Sequence, residues 1–182
     1  MSRRHGPWTV LDSSVVYENP WITVRHDVVQ TPSGSDGIYG VVETKPAVGV
    51  VVRTDDGDTV LVGQFRYPLG AYSWEIPEGA AEPGESVEEA AARELREETG
   101  IQARRWTPLG TMATSNCIMN EVAHFFLAED LSIGTPEPDA TEELELRRLP
   151  FSEAMQLVAD GEIQDAMSIV ALHRAAAVLE DR

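Results

Sequence analysis

Glu94, Glu97 and Glu98 are three carboxylates within five residues, in a stretch whose apolar positions Val87, Ala91 and Leu95 recur every four residues. That recurrence predicts an amphipathic helix with the three apolar side chains toward the core. With Leu95 as origin and about 100° per residue, Glu97, Glu94 and Glu98 fall near 200°, 260° and 300°, an arc of roughly 100° that the apolar residues do not share. Glu94 with Glu98 (i,i+4) and Glu94 with Glu97 (i,i+3) each cost a bare helix about 0.2–0.5 kcal/mol. Arg93, four residues from both Glu89 and Glu97, offsets only part of that cost. A cluster that destabilises its own helix is accounted for if a hard divalent cation sits in it. Oxygen-only ligands suit Mg²⁺, with Mn²⁺ as a substitute, and the lack of a nearby His or Cys disfavours zinc.

Around these residues the chain reads Gly-x5-Glu-x7-Arg-Glu-Leu-x-Glu-Glu-x-Gly-Ile from Gly79 to Ile101. This resembles the Nudix hydrolase signature at every defined position, and a chance match in so acidic a chain is on the order of one in a million. The segments Val60 to Tyr67, Trp74 to Gly79 and Gly161 to Ala166 are similar to the ADP-ribose pyrophosphatase and nucleotide-sugar branch of that superfamily. With Tyr17-Glu18-Asn19-Pro20-Trp21 the resemblance extends over most of the chain. It implies a Nudix-type α/β/α sandwich around a mixed sheet, with residues 44–182 as the hydrolase domain and residues 1–43 as an N-terminal β extension that serves dimerisation. It also implies Mg²⁺-dependent cleavage of a nucleoside diphosphate linked to a second moiety.

Carried over by position, the resemblance makes Glu94 and Glu98 metal ligands, with Glu97 close by and the main-chain carbonyl of Glu78 a further ligand. Glu85 and Arg93 support that shell, and Arg66 takes the place of a residue that contacts the nucleotide. The proton acceptor for the attacking water comes from a second acidic segment. Glu142 ranks first for that role and Glu143 second, with Asp139 not excluded; Glu142 is also a candidate to complete the metal shell. The alternative is that these are solvated charges at the start of a strand. Asn116 stands where ADP-ribose-specific members usually carry a proline, which widens the expected substrates to other nucleoside diphosphate sugars.

The elements that must position these residues are legible in outline. Alternating, β-branched stretches at Trp21 to Val29, Ile38 to Glu43, Ala47 to Arg53 and Thr59 to Arg66 predict strands. The last two flank Asp55-Asp56-Gly57-Asp58 and are expected to form a hairpin. Ser86-x-x-Glu89 after Pro83-Gly84 is a capping box opening the carboxylate helix, which runs to about Thr99 and stops at Gly100. Further strands are expected at Ile101 to Gly110, Glu121 to Ala128 and Glu143 to Leu149, with a long exposed loop from Glu129 to Thr141. A short helix follows from Ser152 to Asp160. Asp165 caps a final helix with Met167, Val170, Ala171 and Val178 on or near its buried side.

Composition bounds the rest. Fourteen Lys+Arg against thirty-one Asp+Glu give −17, so nucleic-acid and membrane-surface binding are not expected. The longest aliphatic run, Ala47 to Val52, is far below the roughly 18–20 residues a membrane span requires. With no export pattern after Arg3 and Arg4 and a single cysteine, Cys117, the protein reads as cytoplasmic. His5, His26, His124 and His173 show no metal or triad spacing, and Trp8, Trp21, Trp74 and Trp106 are most simply packing aromatics, one of which could instead stack on a base. Apolar residues such as Trp8, Val16, Tyr17, Trp21 and Ile22 exceed what a surface extension needs and point to a homodimer. The leading expectation is a nucleoside diphosphate sugar hydrolase. Hydrolysis of a dinucleotide or coenzyme A ester, and a catalytically silent nucleotide-sugar sensor, are the alternatives; no metal carboxylate is lost, which argues against the sensor.

Overall fold

A computed structural model describes residues 2–137 and 143–181. The chain forms two compact units: one runs to Lys45 and includes Ala113–Val122, the other comprises Pro46–Met112 and the chain from Ala123 onward.

The first unit is an antiparallel sheet, β1 (Arg3–His5), β2 (Trp8–Glu18), β3 (Thr23–Gln30) and β4 (Asp36–Glu43), in sequential order. Val10 and Val29 are buried, as is Asp27, which accepts hydrogen bonds from Ser13 Oγ at 2.5 Å and Arg25 Nε at 2.9 Å. Residues 115–120 are pinned to β4 by Val42 N donating to Ile118 O and Asn120 N donating to Val42 O.

Among the described residues the second unit holds two sheets and three helices. Strand β5 (Ala47–Val52) is buried along its whole length, and a strand so enclosed needs partners on both edges. It pairs in parallel with β10 (Val122–Ile133) and antiparallel with β8 (Glu78–Ala80), while β9 (Ile101–Ala113) flanks β10. β6 (Asp58–Arg66) lies instead between β11 (Glu145–Pro150) and β7 (Ala71–Glu75). The expected hairpin of β5 and β6 is thus corrected. The tight turn is present, with Thr54 N donating to Asp58 O at 3.0 Å, but both edges of β5 are already paired and the two strands enter different sheets.

Alternation along β5 separates two cores. Val48, Val50 and Val52 pack with Ala90, Ala91 and Leu95 of α1 (Val87–Thr99), whereas Ala47 and Val51 join Leu61, Ile76 and Phe125 with residues of α2 (Phe151–Ala159) and α3 (Ala166–Glu180). Helices on opposite faces of a mixed sheet are the α/β/α sandwich the resemblance implied. In α3 the buried stripe is Ser168, Ala171, Leu172 and Ala175, with Met167, Val170 and Val178 partly buried beside it. Among the described residues no helix is long and apolar enough to cross a membrane.

The expected loop from Glu129 onward is also corrected. β10 continues to Ile133, and Glu129 is buried in it against Arg105, whose Nε reaches Glu129 Oε2 at 3.1 Å. Pairing with a long β9 extends the strand past the point where apolar alternation fades. Residues 134–137 lie in no strand or helix, as expected, and residues 138–141 lie outside the described residues.

Candidate active site

The first turn of α1 is set by its own sequence. Glu89 N donates to Ser86 Oγ at 3.2 Å and Ser86 N donates to Glu89 Oε2 at 2.9 Å, a reciprocal cap of the kind that stabilises a helix by about 1 kcal/mol. Glu89 is thereby committed to the cap, and Arg93, expected to reach it, turns to Glu85 instead. At the other end Gly100 adopts φ 71°, and a Cβ there would stand 2.6 Å from Gly134 O. Only glycine meets both demands.

Arg93 is the hub of the cluster. Nε and Nη2 hold the two oxygens of Glu85 at 2.9 and 3.0 Å, Nη1 reaches Glu94 Oε1 at 2.8 Å and Glu97 Oε2 at 3.1 Å, and Nη2 also donates to Ala80 O at 3.0 Å. A guanidinium has five N–H donors, so all of them are taken. Arg93 fixes the carboxylates and ties α1 to β8. The hydrogen bond from Arg93 in turn holds Glu85 below the usual carboxylate range.

Glu94 and Glu98 converge on the backbone of β8. The Glu94 carboxyl occupies the space a Cβ on Gly79 would fill, with Oε2 2.6 Å from that position, so any other residue there would displace the carboxylate. Glu98 Oε2 accepts from Glu78 N at 3.1 Å. Glu98 is 3% exposed and buried alongside Leu95, not on the open face that helical geometry assigned to it, because β8 closes over that side of α1.

Glu78 adds a third carboxylate beneath this point. Burial, with Asp165 and Glu75 nearby, pushes it well above the usual carboxylate range, and its Oε2 is buried without a hydrogen-bond partner. Among the described residues no three His, Cys, Asp or Glu side chains already form a closed metal cage. Mg²⁺ takes one or two carboxylates and completes its shell with water and phosphate oxygens. An oxygen-only donor set, an orphaned buried carboxylate oxygen and two glutamates meeting at one strand fit such an ion.

Arg66, at the end of β6, is the next neighbour. Its Nε lies 3.0 Å from each oxygen of Glu75, and Nη2 reaches Glu75 Oε2 at 2.5 Å and Glu78 Oε1 at 2.8 Å. Burial works against the charge on Arg66, but these carboxylates outweigh it and hold the guanidinium above its ordinary range. Glu75, buried to 3% exposure, had no role assigned from sequence. Its signal was a lone carboxylate between Trp74 and Ile76 in a strand, a place that demands a buried partner.

The second acidic segment is only partly described. Gly134 N donates to Gly100 O at 2.7 Å and Glu137 N to Glu97 O at 2.8 Å, which fastens the chain to the C-terminal turn of α1. Glu142 and Asp139 lie outside the described residues. Glu143 is exposed, ahead of β11, where its charge and that of Glu145 help hold the Tyr72 hydroxyl above its usual range, behind the larger effect of burial.

Comparison with known proteins extends these observations. Residues 43–171 match the NUDIX domain, and residues 8–42 match the nucleoside diphosphate sugar hydrolase N-terminal domain. The chain is 38% identical over 159 residues to the ADP-ribose pyrophosphatase of Bacillus subtilis, covering 86% of each chain. It is 33% identical to the ADP-ribose pyrophosphatase of Mycobacterium tuberculosis over 87% of this chain and 78% of that one. A crystal structure of an ADP compounds hydrolase superposes with a TM-score of 0.85 at 25% identity, covering 99% of this chain and 98% of the other.

Proposed function

From the premise that this chain belongs to the Nudix family and is a pyrophosphohydrolase, we propose that it cleaves the diphosphate linkage of ADP-ribose or a related nucleoside diphosphate sugar, using Mg²⁺ and releasing a nucleoside monophosphate and a sugar phosphate. The observation that carries this reading is the convergence of Glu94 and Glu98 on the Glu78–Gly79 backbone, braced by a saturated Arg93. A site this acidic repels a diphosphate unless cations lie between them. Bound there, Mg²⁺ would neutralise the diphosphate, polarise the phosphoryl oxygens and lower the pKa of the attacking water.

The chain's own residues do the remainder. Glu94 and Glu98 hold the ion, with Glu97 beside them and Arg93 and Glu85 locking the carboxylates in place. Glu142, or failing that Glu143, accepts the proton of the water whose oxygen bonds to phosphorus as the bridging P–O bond breaks. The tether of Glu137 to the end of α1 supports this assignment, since it starts the segment leading to Glu142 at the metal helix. The protein acts in the cytoplasm as a homodimer through its N-terminal sheet; Val15, Val16, Tyr17 and Ile38 are all exposed there, more apolar surface than strands facing water keep.

The test is to incubate the purified protein with Mg²⁺ and ADP-ribose, ADP-glucose, GDP-mannose, UDP-glucose, NADH and dinucleoside polyphosphates. AMP and ribose 5-phosphate are expected in equal amounts from ADP-ribose, without inorganic phosphate. Primary release of phosphate, or inertness toward every nucleotide sugar, would overturn the proposal. Light scattering should give twice the chain mass.

A further inference from the structure

Within β10, Asp130 has φ 57°, the one non-glycine residue with a positive φ among the described residues. This left-handed conformation is uncommon for a residue with a Cβ, and Asp and Asn tolerate it best. Arg104 of β9 grips the exposed carboxylate with two groups, Nε at 3.1 Å from Oδ2 and Nη2 at 2.9 Å from Oδ1. Packing along the strand shows what the conformation does. Phe125 and Leu127 join the core beside α2 and α3, whereas Phe126 and Ala128 join the core beside α1. Strict alternation would send Asp130 after Ala128 into the α1 core, yet Leu131 packs there instead. The strand slips by one residue at Asp130, as at a β-bulge, and each later residue of the strand turns to the face it would otherwise not take.

Beyond the slip the chain meets the carboxylate helix. Gly134 N donates to Gly100 O at 2.7 Å and Glu137 N to Glu97 O at 2.8 Å, and Glu97 shares Arg93 with Glu94. The approach leaves no room for another register: a Cβ on Gly134 would stand 3.1 Å from Gly100 O, and one on Gly100 2.6 Å from Gly134 O. We propose that Asp130 is a positioning residue for the reaction. Its left-handed backbone sets the register in which Gly134 and Glu137 dock on the C-terminal turn of α1, and so fixes where the second acidic segment starts relative to the carboxylate helix. This rests on the active-site reading above, in which that segment supplies the proton acceptor. Backbone conformation carries the effect, so the exposed ion pair with Arg104 need contribute little.

The test uses the full chain with Asp130→Gly, Asp130→Asn and Asp130→Val. Glycine and asparagine take the left-handed conformation readily, whereas a β-branched valine does not. In Mg²⁺-free protein, amide hydrogen exchange at Gly134 and Glu137 should keep its wild-type rate in the glycine and asparagine variants. In Asp130→Val it should quicken about 5–30-fold, the ratio to which the left-handed penalty corresponds. With Mg²⁺ and ADP-ribose, Asp130→Val should lose about 10–100-fold in kcat, up to the loss that a misplacement of about 1 Å brings, with KM changed less than kcat. Glycine should restore turnover. If Asp130→Gly falls as far as Asp130→Val, the side chain matters and not the backbone, and the proposal is wrong. It is equally wrong if Asp130→Val exchanges faster at both amides yet turns over at the wild-type rate, or if it changes neither. Should valine prevent folding, Asp130→Ala decides by the same measurements. Glu98→Gln separates the two levels. Full activity in that variant refutes the active-site reading, while exchange at Gly134 and Glu137 in the Asp130 variants still judges the register.

Discussion

From Glu75 to Gly100 the chain has nine acids and two bases, and from Glu129 to Glu145 seven acids and no base, so each stretch carries a net −7. In the first, carboxylates are drawn together: Glu85, Glu94 and Glu97 share Arg93, Glu98 is buried on the amide of Glu78, and Glu75 and Glu78 share Arg66. In the second, the described acids disperse. Glu129 is buried on Arg105, Asp130 meets Arg104 in solvent, and Glu143 and Glu145 are exposed. Equal charge therefore says nothing about use. What separates the stretches is how the acids are grouped: three carboxylates meet at Arg93 and two at Arg66 in the first, whereas in the second Glu129 meets Arg105 and Asp130 meets Arg104 with no shared cation in hydrogen-bond reach.

Glu98→Gln should break the contrast most severely. A glutamine keeps an oxygen for Glu78 N but loses the charge that holds the ion, so kcat should fall by more than about 100-fold, the upper cost of losing a mere outer partner of a metal ligand. The metal-free fold should keep its melting temperature or gain slightly as repulsion from Glu94 is relieved. Near-wild-type turnover would remove Glu98 from the site.

Glu142→Gln and Glu143→Gln sharpen the contrast by asking whether the second stretch contributes chemistry at all. A proton acceptor should lose about 10²–10⁴ in kcat with Mg²⁺ dependence little changed, whereas a metal ligand should raise the Mg²⁺ requirement too. If neither variant loses tenfold, the base lies elsewhere.

The carboxylate helix was legible because its signals are local. The capping box, the left-handed stop at Gly100 and the four-residue spacing depend on neighbours within a few positions. What could not be read depends on partners far along the chain. Glu98 is buried because β8 covers it, Glu129 because β9 supplies Arg105, and β5 leaves β6 because β10 and β8 occupy its edges. Arg66 shows both at once: its place at the end of a strand was evident, but its contact with Glu75 was not, because the β6–β7 register sets Glu75 opposite Val62 and the long Arg66 side chain reaches it diagonally.

Gly100→Ala tests the seam between the two stretches without touching a charge. The left-handed conformation costs an alanine about 1–2 kcal/mol, before its Cβ meets Gly134 O. For a domain of this size that corresponds to a fall in melting temperature of about 2–4 °C per kcal/mol. Activity should fall further than stability alone accounts for, because Gly134 and Glu137 are fastened to this end of α1. An alanine variant with unchanged melting temperature and turnover would show the seam to be slack.

The smallest effect expected is in acid stability, and here the two stretches can be compared directly. The hydrogen bond from Arg93 lowers Glu85, and that from Arg104 lowers Asp130. A carboxylate whose folded pKa lies below its unfolded value contributes stability that is fully present above the unfolded value, and loses it as pH falls through the folded one. Both should therefore contribute at neutral pH and fade from about pH 4 downward. Their surroundings differ: the Glu85 side chain is 17% exposed and its arginine 25%, whereas Asp130 is 51% exposed and Arg104 81%. Water and salt screen the second pair, and such exposed pairs are worth little. Urea unfolding at pH 7 and pH 3.5 should therefore show a smaller acid loss in Glu85→Gln than in the wild type, and no difference for Asp130→Asn. Equal behaviour of the two variants would mean that Arg93 stabilises its carboxylates no more than a surface arginine does, and the distinction between a gathered and a dispersed acidic stretch would lose its energetic basis.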